Sequence, residues 1–108
     1  MYLSNSMEEF QSKPERENPE QALERLQKIA EILKEMKLNV IDRAVTLERL
    51  LDATAEIGFP IVREGSNGVR ASYSKRDGLR IWFTNGFDDP SNLTRQEITK
   101  KLKAAGLI

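Results

Sequence analysis

Residues 61–84, IVREGSNGVRASYSKRDGLRIWFT, decide the fold. Val69, Ala71 and Tyr73, then Leu79, Ile81 and Phe83, alternate with polar residues. That two-residue period belongs to half-buried strands and not to a helix. Three antiparallel strands are expected, over 61–64, 69–74 and 79–84, with turns at Gly65-Ser66-Asn67-Gly68 and Arg76-Asp77-Gly78. A two-residue Asp77-Gly78 turn would mix apolar and polar side chains on each face. A three-residue turn with Gly78 left-handed pairs Tyr73 with Ile81 and Ala71 with Phe83, and segregates the faces. Val69, Ala71, Tyr73, Leu79, Ile81 and Phe83 then point inward. Arg70, Ser72, Ser74, Arg80, Trp82 and Thr84 point outward, with Trp82 opposite Ser72.

Helices are expected on both sides of this ribbon. Upstream, Asn18-Pro19-Glu20-Gln21 is a helix start, with Asn18 as cap, Pro19 at the first helical position and Gln21 completing a capping box. Leu26, Ile29, Leu33, Met36 and Val40 recur every three or four residues as one stripe. Leu23 and Ile32 widen it, so it is one side of an intramolecular helix pair or, alternatively, a short coiled-coil seam that would give a homodimer through the first helix. A second helix is expected near 47–57, capped by Thr46 and stopped by a left-handed Gly58 and by Pro60. Downstream, Thr94-Arg95-Gln96-Glu97 is a capping box flanked by Leu93 and Ile98 as a hydrophobic staple. Ile98, Leu102 and Ala105 form the inner stripe of that last helix, and Gly106 ends it. The expected fold is α+β: two N-terminal helices, a three-stranded antiparallel sheet and a C-terminal helix, as one domain over 19–108 behind a flexible leader over 1–18.

Composition narrows the chemistry. The 108 residues carry 17 basic and 17 acidic side chains, no Cys and no His. Disulfides, thiolate catalysis and the commonest zinc ligands and neutral-pH general base are thereby excluded. No apolar run approaches the roughly 18 residues of a membrane helix, so a cytoplasmic protein without a membrane partner is expected. No pair of carboxylates has catalytic spacing, and Gly65-Ser66-Asn67-Gly68 lacks the lysine of a phosphate loop. Asp88-Asp89 with Asn85 or Asn92 reads as a solvated loop, and no metal or cofactor is assigned. A binding module is expected, and no enzyme.

The net charge of zero hides an asymmetry. Residues 1–58 hold 8 basic and 12 acidic side chains, and residues 59–108 hold 9 basic and 5 acidic. In the basic half, Arg70, Arg80 and Trp82 share the outward face, with Lys75 and Arg76 at the turn and Lys100, Lys101 and Lys103 on the last helix. An outward indole among guanidiniums can stack on bases and grip phosphates. It can also anchor a protein interface, or be covered by the leader or first helix as part of the core. In the acidic half, Glu20, Glu24, Glu31 and Glu35 share one face of the first helix, a surface that could imitate nucleic acid toward a basic partner.

The helix ending at Gly58-Phe59, the Arg63-Glu64-Gly65-Ser66 approach to the first turn and the capped ITKKLKAAGL helix, in that order over 47–108, resemble the HicA family of small toxins. The resemblance implies a double-stranded-RNA-binding-like fold acting on RNA. The family's catalytic histidine follows its Gly-Ser pair, where this chain has Asn67-Gly68. RNA binding without cleavage is therefore the expectation. Residues 47–74 are also similar to the recognition helix and wing of winged-helix DNA-binding domains, with Arg49 toward the major groove. The alternative from a different class is a protein-binding inhibitor or adaptor, antitoxin-like or a phage anti-defence protein, using the acidic first helix.

Overall fold

The structure, a computed structural model, describes residues 17–41 and 45–108. In chain order it holds α1 (Pro19–Glu35), α2 (Leu47–Leu51), β1 (Ile57–Glu64), β2 (Asn67–Ser74), β3 (Gly78–Thr84), a 3-10 turn (Asn85–Asp88) and α3 (Leu93–Ala104). The sheet is antiparallel with order β1-β2-β3. Ile29 and Leu33 from α1, Leu50 from α2, and Ile98 and Leu102 from α3 join Phe59, Val62, Val69, Ala71, Tyr73 and Leu79 in one core. The helices therefore pack on a single face of the sheet.

Helix α1 starts as its sequence dictates. Asn18 accepts from the Gln21 N–H at 2.8 Å, and the Gln21 side chain accepts from the Asn18 N–H at 3.2 Å. It ends at Glu35, so Val40 lies beyond it. The stop is a Schellman turn: the Leu38 N–H reaches the Leu33 carbonyl, the Lys37 N–H reaches that of Lys34, and Lys37 sits at φ 64°. No glycine marks this end, which hides it from the sequence. Val40 instead bridges to Val62, with the Ile41 N–H donating to the Ile61 carbonyl at 2.7 Å and the Arg63 N–H to that of Asn39 at 3.2 Å. That short run covers part of the free edge of β1.

The second helix is shorter than expected. Thr46 caps it, but α2 stops at Leu51, and Ile57, Gly58, Phe59 and Pro60 belong to β1. Central strand β2 explains why. A β1 beginning at Ile61 would leave Arg70 to Tyr73 without partners on one side, and buried backbone groups must be paired. Ile57 through Pro60 supply them, pairing Ile57 with Tyr73 and Pro60 with Arg70. Pro60 is admitted because it lies on an edge strand beside a bulge, where a missing N–H costs no ladder bond. The bulge falls between Pro60 and Val62, so Ile61 and Val62, neighbours in sequence, are both buried.

The β2–β3 register differs by two residues from the expected one. Tyr73 pairs with Leu79, Ala71 with Ile81, and Trp82 with Arg70 in place of Ser72. The turn is Lys75-Arg76-Asp77, closed by the Asp77 N–H donating to Ser74 Oγ at 3.0 Å, and Gly78 (φ 76°) begins β3. Alternation fixes register only to the nearest even number, so the faces are as expected while the pairs are not. At the first turn Glu64 pairs with Asn67 across Gly65-Ser66, with φ 62° at Gly65 as in a type II′ turn.

Helix α3 starts two residues earlier than the Thr94 box predicts. Asn92 is the cap: its Oδ1 accepts from the Arg95 N–H at 3.0 Å, and its Nδ2 donates to the Gly86 carbonyl at 3.1 Å. This double role gives Asn92 the advantage over Thr94, and it leaves Leu93 77% exposed, so no staple forms. Gly86 lies directly against the Asn67 side-chain amide, which would have to turn away to admit a Cβ there. A second Schellman turn through Gly106 ends α3, buries Leu107 and leaves Ala105 exposed.

The leader expected over 1–18 lies outside the described residues except for Glu17 and Asn18, and both of these are anchored. Arg25 and Glu17 pair two-pronged, Nε to Oε2 at 2.9 Å and Nη2 to Oε1 at 2.8 Å. Glu17 Oε1 also accepts from the Leu79 N–H at 3.2 Å. The same guanidinium donates to the carbonyls of Leu79 and of Leu107, the latter at 2.8 Å. Glu17 packs so closely on Gly78 that a Cβ there would lie 2.9 Å from its own Cβ.

Two stability predictions follow from these contacts. Replacing Arg25 by Met strands a carboxylate and two carbonyls with side-chain exposure of only 25% and 19% for the original pair. Urea unfolding should show a loss of about 2–3 kcal/mol, under the roughly 3–5 kcal/mol for breaking a fully buried pair. Lys37→Gly removes the left-handed strain and should raise stability by about 0.5–1 kcal/mol, read as a higher Tm.

Candidate nucleic-acid interface

With every helix on the inner face, the outer face of the sheet is built in three cross-strand rows. Gly58, Ser72 and Arg80 form the first, Pro60, Arg70 and Trp82 the second, and Arg63, Gly68 and Thr84 the third. Trp82 is 40% exposed on this outward face, which disfavours the alternative of an indole packed into the core, and Arg63, Arg70 and Arg80 are all exposed. Lys75 and Arg76 are exposed at the β2–β3 turn, next to the first row.

The three arginines are not equivalent. Arg80 is ion-paired with Glu56, whose carboxylate also accepts from Ser72 Oγ at 2.9 Å. Ser72 is only 1% exposed beneath this arrangement. The Ser72 hydroxyl, and after it the Arg80 guanidinium, hold the Glu56 carboxyl below its usual range against the opposing effect of burial. Among the described residues, the Arg63 and Arg70 guanidiniums have no ion-pair or hydrogen-bond partner. Between them is a hollow of about 270 Å³ bordered by Pro60, Gly65, Ser66 and Thr84. Gly68 forms its floor, and a Cβ there would lie 3.0 Å from Thr84 Oγ1 and 3.1 Å from the Val62 carbonyl. A larger hollow of about 630 Å³ lies at the other end of the face, between residues 53–56 and the Lys75-Arg76 turn.

The remaining predicted residues lie elsewhere. Lys100, Lys101 and Lys103 are exposed on α3, across the core from Trp82, with Lys101 4.0 Å from Glu97. The structure does not bring them together with the outer-face arginines. Glu20, Glu24, Glu31 and Glu35 are all exposed on α1, within about 60° of one another at 100° per residue, and Glu24 lies 3.8 Å from Lys28. Arg49 is exposed on α2, whose five residues extend only about 7.5 Å. Asp89 accepts from the Ser91 N–H and hydroxyl, which in that order lower its pKa, with the charge of Arg95 acting the same way. Among the described residues no group of three or more acidic side chains could hold a metal ion, and no helix is long and apolar enough to cross a membrane.

Sequence reasoning missed Arg63 and Glu56 as parts of this surface. Alternation from Gly58 would turn Val62 outward, and only the bulge at Ile61 rotates Arg63 onto the outer face. The adjoining pair Ile61-Val62 after a proline was the available signal. Glu56 was placed in a helix that ends before it.

Comparison of the chain with family models, with curated proteins and with solved structures finds no match.

The Glu56 cluster generates a pH prediction. A carboxyl with a lowered folded pKa adds stability above its unfolded value near ~4.3, and loses that contribution as pH falls through the folded value. Ser72→Ala removes the largest cause, so an NMR titration of the Glu56 carboxyl carbon should show its pKa rising toward the ordinary range. Unchanged titration would mean that Ser72 does not set it.

Proposed function

We propose that this chain is a small non-catalytic module that binds nucleic acid, and structured RNA in particular, on the outer face of its sheet. The observation that carries the reading is the exposed Trp82 directly across from Arg70, which among the described residues has no ion-pair partner, on a face that none of the described helices covers. Arg63, Lys75 and Arg76 extend the positive surface along the same side, and among the described residues Glu56 is the one carboxylate paired into it. Polyanion binding needs such a cationic surface, and an exposed π-face supplies stacking that is tolerant of sequence. The HicA-like order of helix, three strands and helix favours RNA within this reading, although the helix that was to end at Gly58-Phe59 stops at Leu51, and the missing histidine is why no cleavage is proposed.

Arg63, Arg70, Lys75 and Arg76 provide about four phosphate contacts. For a single strand the logarithmic salt slope is then about −2.8, or roughly a 50-fold loss of affinity between 50 and 200 mM salt. Gel shifts across that range measure it, and Arg70→Glu should abolish the shift. Replacing Lys100, Lys101 and Lys103 together should change affinity far less. Absence of any RNA or DNA shift at low salt would refute the reading.

One observation favours a second reading, a protein-binding inhibitor or adaptor: the four glutamates of α1 share one exposed face opposite its buried stripe. Pull-down from the native cell separates the two, recovering nucleic acid in the first case and one dominant basic protein in the second.

A further inference from the structure

We infer that the outer face binds one unpaired nucleotide, with its base on Trp82 and its phosphate in the hollow over Gly68. This rests on the nucleic-acid reading above and narrows its ligand to an RNA loop, bulge or end. The middle row, Pro60–Arg70–Trp82, places the only indole of the chain against a guanidinium across one strand spacing. One step further along β3 and β2, Thr84 and Gly68 face each other across the ladder, and Arg63 adjoins Gly68 from β1. Two residues of strand separate Trp82 from Thr84, about 7 Å, the reach of a nucleotide from its base to its own phosphate.

The chemistry of the two positions differs in the way that a nucleotide requires. At Trp82 the surface is a flat π-face with a cation beside it, which suits a base. At Gly68 there is no side chain. Two guanidiniums and the Thr84 hydroxyl surround a floor where a Cβ would fit only tightly. Convergent donors around a bare backbone floor suit a phosphate. Arg80, on the other side of Trp82, is neutralised by Glu56, so the phosphate is drawn toward Gly68. A base-paired nucleotide cannot use this arrangement, because its faces are already stacked on its neighbours and only its edges are open in the grooves. Duplex RNA could meet the same arginines but would leave Trp82 untouched.

The test follows Trp82 emission and affinity at 50 mM salt with two RNAs of equal length, a hairpin with an unpaired loop and a blunt duplex. The hairpin should bind at least tenfold more tightly and alone quench the indole. Trp82→Leu should bring hairpin affinity down to that of the duplex. Arg63→Gln, at an exposed position, should weaken hairpin binding several-fold while leaving the quench at saturation intact. Equal binding of both RNAs with silent emission overturns the inference and leaves the RNA-binding reading standing. Binding of neither overturns both.

Discussion

The pairing of Arg25 with Glu17 is the interaction on which the arrangement of this fold depends. β3 is an edge strand, and a free edge invites pairing with other chains. At Leu79 that edge is closed by side chains: the Glu17 carboxylate takes the N–H and the Arg25 guanidinium serves the carbonyl. A bidentate Arg–carboxylate pair presents an acceptor and a donor side by side, much as a neighbouring strand would. Because Glu17 precedes α1 and Arg25 lies two turns into it, the same contact fixes where the helix crosses the sheet. The Arg25 Nη1 reaches the Leu107 carbonyl and ties down the chain beyond α3. Tyr73 packs beneath, its hydroxyl toward the Glu17 carbonyl, and burial with the Glu17 charge raises its pKa. Helix, ribbon and the segment after α3 thus share one partly buried polar centre at the edge of the apolar core.

That centre has a consequence for the opposite surface. With α1 fixed over the inner face, α3 packs beside it, and every large apolar side chain of the described core is used on that side. The outer face is left to residues that do not need cover: glycines, serine, threonine, proline and three arginines around one indole. Ser72 shows how strict this is. It is buried without any helix above it, because Glu56 and Arg80 close over it as an ion pair. The outer face is thereby divided into a neutralised end at Glu56 and a cationic end at Arg63 and Arg70.

The parts legible in the sequence were those written in local chemistry. The Asn18-Pro19-Gln21 start of α1, the alternation of β2 and β3 and the outward Trp82 depend on neighbouring residues and were read correctly. What failed depended on distant partners or on degeneracy. Periodicity carried α1 too far because Lys37 adopts a left-handed conformation without being glycine. Segment 52–57 looks helical in isolation and was claimed by the hydrogen-bonding needs of β2. Thr94 has the better capping-box pattern, yet Asn92 caps because Gly86 lies within its reach. The hairpin slipped by two residues because alternation cannot tell even offsets apart. Phe87, buried in the 3-10 turn, belongs to no periodic run at all.

The bulge at Ile61 shows how a small irregularity can decide a surface. In a regular strand Ile61 would face outward and Val62 inward, or the reverse, and one branched apolar side chain would lie exposed beside Trp82. The extra residue buries both, one toward α1 and the 38–41 segment and the other into the sheet core. It also turns Arg63 outward beside Gly68. One inserted position therefore removes an apolar side chain from the exposed face and adds a cation. Pro60, which cannot donate to the ladder, stands where the pairing breaks, so the irregularity costs little. Regular alternation through this point would turn Arg63 inward, and the hollow would lose one of the two guanidiniums that flank it.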